Sequence, residues 1–196
     1  MMKVVIFDAD GVLIRCERFS ATLEREHGIS METTKDFFQG PFQACRVGDA
    51  DLKEEIEAYL PKWGWHKGVD AFLDIWFDVE YKLDKDLIDY VQELRALGVL
   101  CILATNQEKY RFAYMLNKLG FENMFDKIYA SAHLGLAKPD EKFFEKIQED
   151  LKNVNKEEVL FVDDREENIK AGQSFGYHAH LYTSLNDFRQ KFLDLS

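Results

Sequence analysis

Asp8 and Asp10 flank Ala9 at the end of an apolar run, KVVIFDADGV. Lys3 to Phe7 is apolar and β-branched without alternation, the pattern of a short, fully buried strand. Such a strand gains nothing structurally from two carboxylates at its end, because buried ions are costly unless paired or metal-bound. Open α/β sheets bind ligands at the carboxyl ends of their strands. Gly11 then permits a sharp exit from the strand. Three further apolar runs deliver polar groups in the same way. VLCILAT ends at Thr105 and Asn106, Lys138 follows the run KIYAS, and VLFVDD ends at Asp163 and Asp164. Four acids brought together would repel and shift one another's pKa. A hard divalent cation resolves the repulsion, and a purely oxygen donor set favours Mg²⁺ over zinc. Lys138 and the Thr105 and Asn106 donors would hold phosphoryl oxygens, the electrostatic clamp that phosphoryl transfer requires. A carboxylate can itself be the nucleophile, and a second can move the proton.

The elements that must position these groups are legible in outline. A fifth apolar run covers His178 to Thr183. Between the runs, Lys85 to Leu97, Lys109 to Leu119, Asp140 to Leu151 and Arg165 to Phe175 carry apolar residues at helical spacing, several stopped by glycine. Strand and helix alternate, which predicts an α/β fold: a Rossmann-like parallel sheet sandwiched by helices. Residues 15–81 break the rhythm and hold helix-like segments from Phe19, from Asp51 to Leu60 and from Val69 to Phe77. They predict a small all-helical domain inserted into a core made of residues 1–14 and 82–196. Its aromatics (Phe37, Phe38, Phe42, Trp63, Trp65, Phe72, Trp76 and Phe77) are expected to form the insert's own core and its contact with the sheet.

Composition narrows the functional classes. The net charge of −11 over 196 residues argues against nucleic acid or an anionic membrane as partner. No stretch approaches the ~20 apolar residues of a membrane span. Cys16, Cys45 and Cys101 have no metal-ligand spacing and read as reduced thiols of a cytoplasmic protein. No nucleotide-cradling glycine loop occurs. Arg46 in the insert is a candidate for a substrate anion, and His133, in the loop carrying Lys138, is a candidate to approach substrate.

Taken in order, these motifs resemble the haloacid dehalogenase-like hydrolase superfamily. DxDGV is matched by Asp8, Asp10, Gly11 and Val12, the strand-end Thr by Thr105, Lys-Pro by Lys138-Pro139, and the paired acids by Asp163-Asp164. The segment that follows also resembles the family's run through Asn168, Ala171 and Gly176. The resemblance implies that Asp8 is nucleophile and metal ligand, and that Asp10 is the general acid/base and binds the metal through its carbonyl. Asp164 would be the principal further ligand, with Asp163 acting through water or as support. Thr105, Asn106 and Lys138 would bind the phosphoryl group, and the insert would be a mobile cap. The branch most resembled holds sugar-phosphate phosphatases and the phosphatase domain of soluble epoxide hydrolase, through RVGDADLKEEI at Arg46 to Ile56. The expected activity is Mg²⁺-dependent hydrolysis of a small phosphorylated metabolite through an aspartyl-phosphate. A phosphomutase shares the core motifs. A dehalogenase would lack the acid at Asp10 and need no metal, and a silent binding protein would not need the full motif set.

Overall fold

The computed structural model describes residues 2–15, 18–79 and 82–196. Cys16 and the insert's expected last residue, Tyr81, lie outside them. The chain begins with β1 (Val4–Phe7). Among the described residues, five α-helices follow: α1 (Phe19–His27), α2 (Met31–Gln39), α3 (Pro41–Arg46), α4 (Leu52–Glu57) and α5 (Val69–Val79). The remainder alternates: α6 (Lys85–Ala96), β2 (Leu100–Thr105), α7 (Lys109–Asn117), β3 (Lys127–Ala130), α8 (Ser131–Leu134), α9 (Glu141–Asp150), β4 (Val159–Asp163), α10 (Glu166–Phe175), β5 (His178–Leu181) and α11 (Leu185–Leu195).

The five strands form one parallel sheet in the order β3-β2-β1-β4-β5. β1 sits at its centre, with Val4 paired to Leu100 on one side and to Val159 on the other. Side chains alternate faces along a strand. Val5 and Phe7 pack with Leu87, Val91, Leu103 and Phe188 on one face. Val4 and Ile6 pack with Ile102, Phe143, Phe144 and Phe161 on the other. Both faces are covered, which is why β1 reads as unbroken apolar sequence rather than as alternation. Full burial stabilises each such side chain by roughly 1.5–3 kcal/mol.

Helix starts follow capping chemistry. The Asp84 carboxylate accepts from Leu87 N at 3.1 Å to open α6, and Glu108 accepts from the Tyr110 and Arg111 amides to open α7. Helices α2, α3, α8 and α11 have no counterpart in the sequence expectation. METTKDFFQ holds only three apolar residues, Met31, Phe37 and Phe38, and Gly40-Pro41 resembles a break. In the structure Gly40 ends α2 while Pro41 opens α3 at its first position, where a missing N–H costs nothing.

Helices α1 to α5 share a separate apolar cluster of Phe19, Leu23, Phe37, Trp63, Phe72 and Trp76, with Phe38 and Phe42 packed against it. The two strands of chain that join these helices to the sheet run side by side. Ile14 bridges Leu83, Arg15 N donates to Lys82 O at 2.8 Å, and Asp84 N donates to Leu13 O at 2.9 Å.

Candidate active site

The carboxyl ends of β1, β2 and β4 lie together because those strands are neighbours in the sheet. Asp8 follows β1 directly; its amide donates to Val162 O at 2.9 Å, which ties it to β4. Lys138 reaches in from the loop after α8. Its ammonium is fully buried and donates to Asp8 Oδ1 at 3.0 Å, Asp163 Oδ2 at 2.7 Å and Ala104 O at 2.9 Å. Burial works against the Lys138 charge, yet Asp8 and Asp163 outweigh it and hold the ammonium above its ordinary pKa. Burial pushes the Asp8 carboxyl up, against the pull of Lys138, and Asp163 and Asp10 push the same way. One ammonium is too little positive charge for this cluster.

Asp163 and Asp164 are adjacent but differ in kind. Asp163 is wholly buried, and its oxygens accept from Lys138, from Asn168 Nδ2 at 3.0 Å and from the Arg165 amide at 2.9 Å. Asp164 is exposed, and partial burial with the Asp163 charge raises its pKa. It folds over Gly11, whose φ is +80°. A Cβ on Gly11 would lie 2.1 Å from Asp164 Oδ2, so only glycine admits this approach. Asp8, Asp163 and Asp164 each place a carboxylate oxygen within 4.8 Å of the others. An all-oxygen, electron-rich set beside a cradle left open by a glycine fits a hard divalent cation.

Asp10 projects separately, half-exposed, with Oδ1 accepting from Arg111 Nη2 at 3.1 Å and Oδ2 from Gln107 Nε2. Neither Gln107 nor Arg111 was singled out by sequence reasoning. Gln107 directly follows the strand-end pair Thr105-Asn106, and that adjacency was the available signal. Arg111 lies in the first turn of α7 and is 2% exposed.

The other expected residues distribute as follows. Thr105 is buried and lines the cavity above the acids. The Asn106 amide is committed at both ends to the Lys138 backbone, donating to its carbonyl at 2.8 Å and accepting from its amide at 2.9 Å. Its side chain therefore fixes the lysine loop. Arg46 lines the cavity from α3; burial and then the nearby Arg165 charge lower its pKa. His133 is exposed, its ring edge-on to Phe112 at 4.8 Å, and it is not among the described residues that line the cavity. The cavity itself measures about 1150 Å³ and runs from Asp8, Asp10 and Asp164 up between α1, α2, α3 and α5.

The model of one family, described as haloacid dehalogenase-like hydrolase, matches residues 2–176. The chain belongs to this family. It is a hydrolase by membership, and the expected Rossmann-like α/β fold is the one observed. The chain is 35% identical over 104 residues to a sesquiterpene phosphatase, astK, of Aspergillus oryzae. That match covers 52% of this chain and 52% of that protein, and a longer curated relative is spanned over only 22% of its length. It is 26% identical to a D-ribitol-5-phosphate phosphatase of Bacteroides thetaiotaomicron, over 97% of both chains. A haloacid dehalogenase family enzyme of Bacteroides thetaiotaomicron, solved with magnesium and inorganic phosphate, has the same fold: TM-score 0.82 at 20% identity, over 98% of this chain and all of that one. No described helix is long and apolar enough to cross a membrane.

Proposed function

We propose that the protein is a Mg²⁺-dependent phosphomonoester hydrolase working through a phosphoryl group carried on Asp8. The observation that carries this reading is the set of three carboxylates within 4.8 Å, two of them bonded to one buried ammonium. It is supported by relatives named as phosphatases and by a fold relative that binds magnesium with phosphate.

Asp8 and Asp164 would hold the ion, with Asp163 as support because Lys138 and Asn168 already occupy its oxygens. When bound, Mg²⁺ supplies charge neutralisation at the nucleophile and the phosphoryl oxygens. Lys138, bonded to Asp8, would neutralise the same oxygens, and Thr105 and Asn106, which line the cavity, would border them. Asp8 attacks phosphorus; the Asp8 O–P bond forms as the ester P–O bond breaks, and Asp10 gives its proton to the leaving oxygen. Asp10 then takes a proton from water, whose oxygen displaces Asp8 from phosphorus and restores the free carboxylate. Arg111 and Gln107 fix the direction in which Asp10 points.

Residues 15–81 act in this reading as a cap that opens and closes over the acids. The paired crossings at Leu13–Arg15 and Lys82–Asp84 supply a compact hinge. The free, buried thiols of Cys45 and Cys101 suit a reducing, cytoplasmic setting. An acid at position 10 counts against carbon–halogen chemistry, since hydrolysis of a phosphoester needs a proton on the leaving group. The test is phosphate release from p-nitrophenyl phosphate and a panel of phosphorylated metabolites, with Mg²⁺ and with EDTA. Release with Mg²⁺ that EDTA abolishes is expected; equal rates in both would overturn the metal assignment.

A further inference from the structure

The cavity above the acids is larger than the phosphoryl site needs. At about 1150 Å³ it exceeds the roughly 300–1,000 Å³ usual for small-molecule sites. Its far wall carries an apolar patch: Phe19, Leu23, Met31, Phe38, Phe42 and Trp76 all border it. Trp76 organises this wall, stacked on Phe19 at 5.4 Å and contacted by Phe38 at 5.3 Å and Phe42 at 5.6 Å. All of these but Met31 belong to or pack against the apolar cluster of the helices that follow β1, and they also present a surface to the cavity. Phe38 and Phe42 are only half-buried, and Met31 is 64% exposed.

Thr34 and Gln43, two of the polar side chains interleaved on the same wall with Ser20, Lys35 and Gln39, are already engaged. Thr34 Oγ1 donates to the Met31 carbonyl at 3.3 Å. Gln43 donates through Nε2 to the Phe38 carbonyl and accepts from Arg46 through Oε1 at 2.6 Å. A polyhydroxylated group set against Phe, Trp and Met would lose water without gaining partners, at a cost of roughly tenfold or more in affinity per hydroxyl. An alkyl or prenyl group would instead bury apolar surface on both sides.

We propose that the substrate is a phosphomonoester of a long apolar alcohol, its phosphate at Asp8 and its chain lying along Phe19, Phe38, Phe42 and Trp76. This rests on the phosphatase reading for the phosphate end and on the cavity wall for the other. Basic side chains also enter the lining, among them Arg46 and Arg165, Lys35 paired with Glu32, and Arg111 paired with Asp10.

The test uses n-butyl, n-hexyl and n-octyl phosphate beside ribitol 5-phosphate, read as kcat/KM for phosphate release with Mg²⁺. Calorimetric Kd values for butyl- and octylphosphonate are measured in parallel. The proposal expects a gain of at least about tenfold from butyl to octyl in both readouts, with the polyol ester no better than butyl. A flat or falling series overturns it. If no ester is turned over, the phosphatase reading fails and the phosphonate trend alone decides the chain site. Phe42→Gln should cut the octyl-to-butyl ratio at least about fivefold. Should that variant misfold, Met31→Glu, at an exposed position, should lower the same ratio; a ratio unchanged in every folded variant contradicts the proposal.

Discussion

Arg111 and Asp10 are separated by 101 positions in sequence and meet at 3.1 Å, guanidinium to carboxylate. The sheet makes this possible, because β1 and β2 are neighbours and α7 starts just beyond β2. With Gln107 on its other oxygen, Asp10 is held by two side chains of one short segment. A proton-transfer group needs that restraint, since small misplacements of a reacting group are costly in rate. Arg111→Met should therefore lower kcat by roughly ten- to a hundredfold with a smaller change in KM, and displace the pH–rate profile. Gln107→Ala should do the same more weakly. Kinetics of both variants across pH test this; profiles that superpose on wild type after scaling would assign Arg111 to packing alone.

Gly11 sets the second expectation. A methyl group there would meet Asp164 Oδ2 at 2.1 Å, and the backbone φ of +80° is unfavourable for alanine. Gly11→Ala should displace Asp164 and weaken Mg²⁺ binding by about ten- to a hundredfold, the range found when ligand support is lost. The Mg²⁺ concentration for half-maximal activity measures it directly, and an unaltered value would separate Asp164 from the ion.

Much of this was visible in the chain before folding. Each strand-end group lies directly against an apolar run, so Asp8, Thr105 and Asp163 carry their position in their own sequence context. The two acids of the 163/164 pair look alike in sequence. Only burial separates them, with Asp163 locked by Lys138 and Asn168 and Asp164 left open. Asn106 was legible as a site residue, but not that its amide would be spent on the Lys138 backbone. Arg111 was not legible at all, because its burial arises from packing between a helix and a distant strand end. His133 was expected in the loop of Lys138, yet it lies on the short helix α8, exposed and edge-on to Phe112, while Lys138 is buried in the loop beyond that helix.

The metal-free protein should lose stability as pH rises from about 4 to about 7. Burial, foremost, raises the Asp8 carboxyl to about 7, so in this window the folded chain keeps a proton that the unfolded chain releases. His180 works in the opposite sense, since burial lowers its pKa and stability is gained as it deprotonates. The difference between wild type and Asp8→Asn isolates the carboxyl. Denaturant melts in EDTA should show the wild-type decline shrink in the variant and on adding Mg²⁺; identical pH dependence in both proteins would contradict it.

Lys138 is the only ammonium among the described residues bonded to both Asp8 and Asp163. Lys138→Met leaves two buried carboxylates without it, a loss of roughly 3–5 kcal/mol for breaking a buried pair. Asp163 keeps Asn168 and the Arg165 amide, which favours the lower figure. Equilibrium unfolding near neutral pH reads this out, with phosphatase activity expected to vanish as well. A variant of unchanged stability would mean that the pair contributes nothing net.

The central claim is that Asp8 becomes covalently phosphorylated. Its most direct measurement is the intact mass of acid-quenched enzyme taken during turnover with Mg²⁺, in wild type and Asp8→Asn. The account predicts one added phosphoryl group on the wild-type peptide that contains Asp8. It predicts none in the variant, whose phosphate release falls by at least about a thousandfold while it remains folded. Full turnover by folded Asp8→Asn, or a phosphoryl group carried on another residue, would contradict the account.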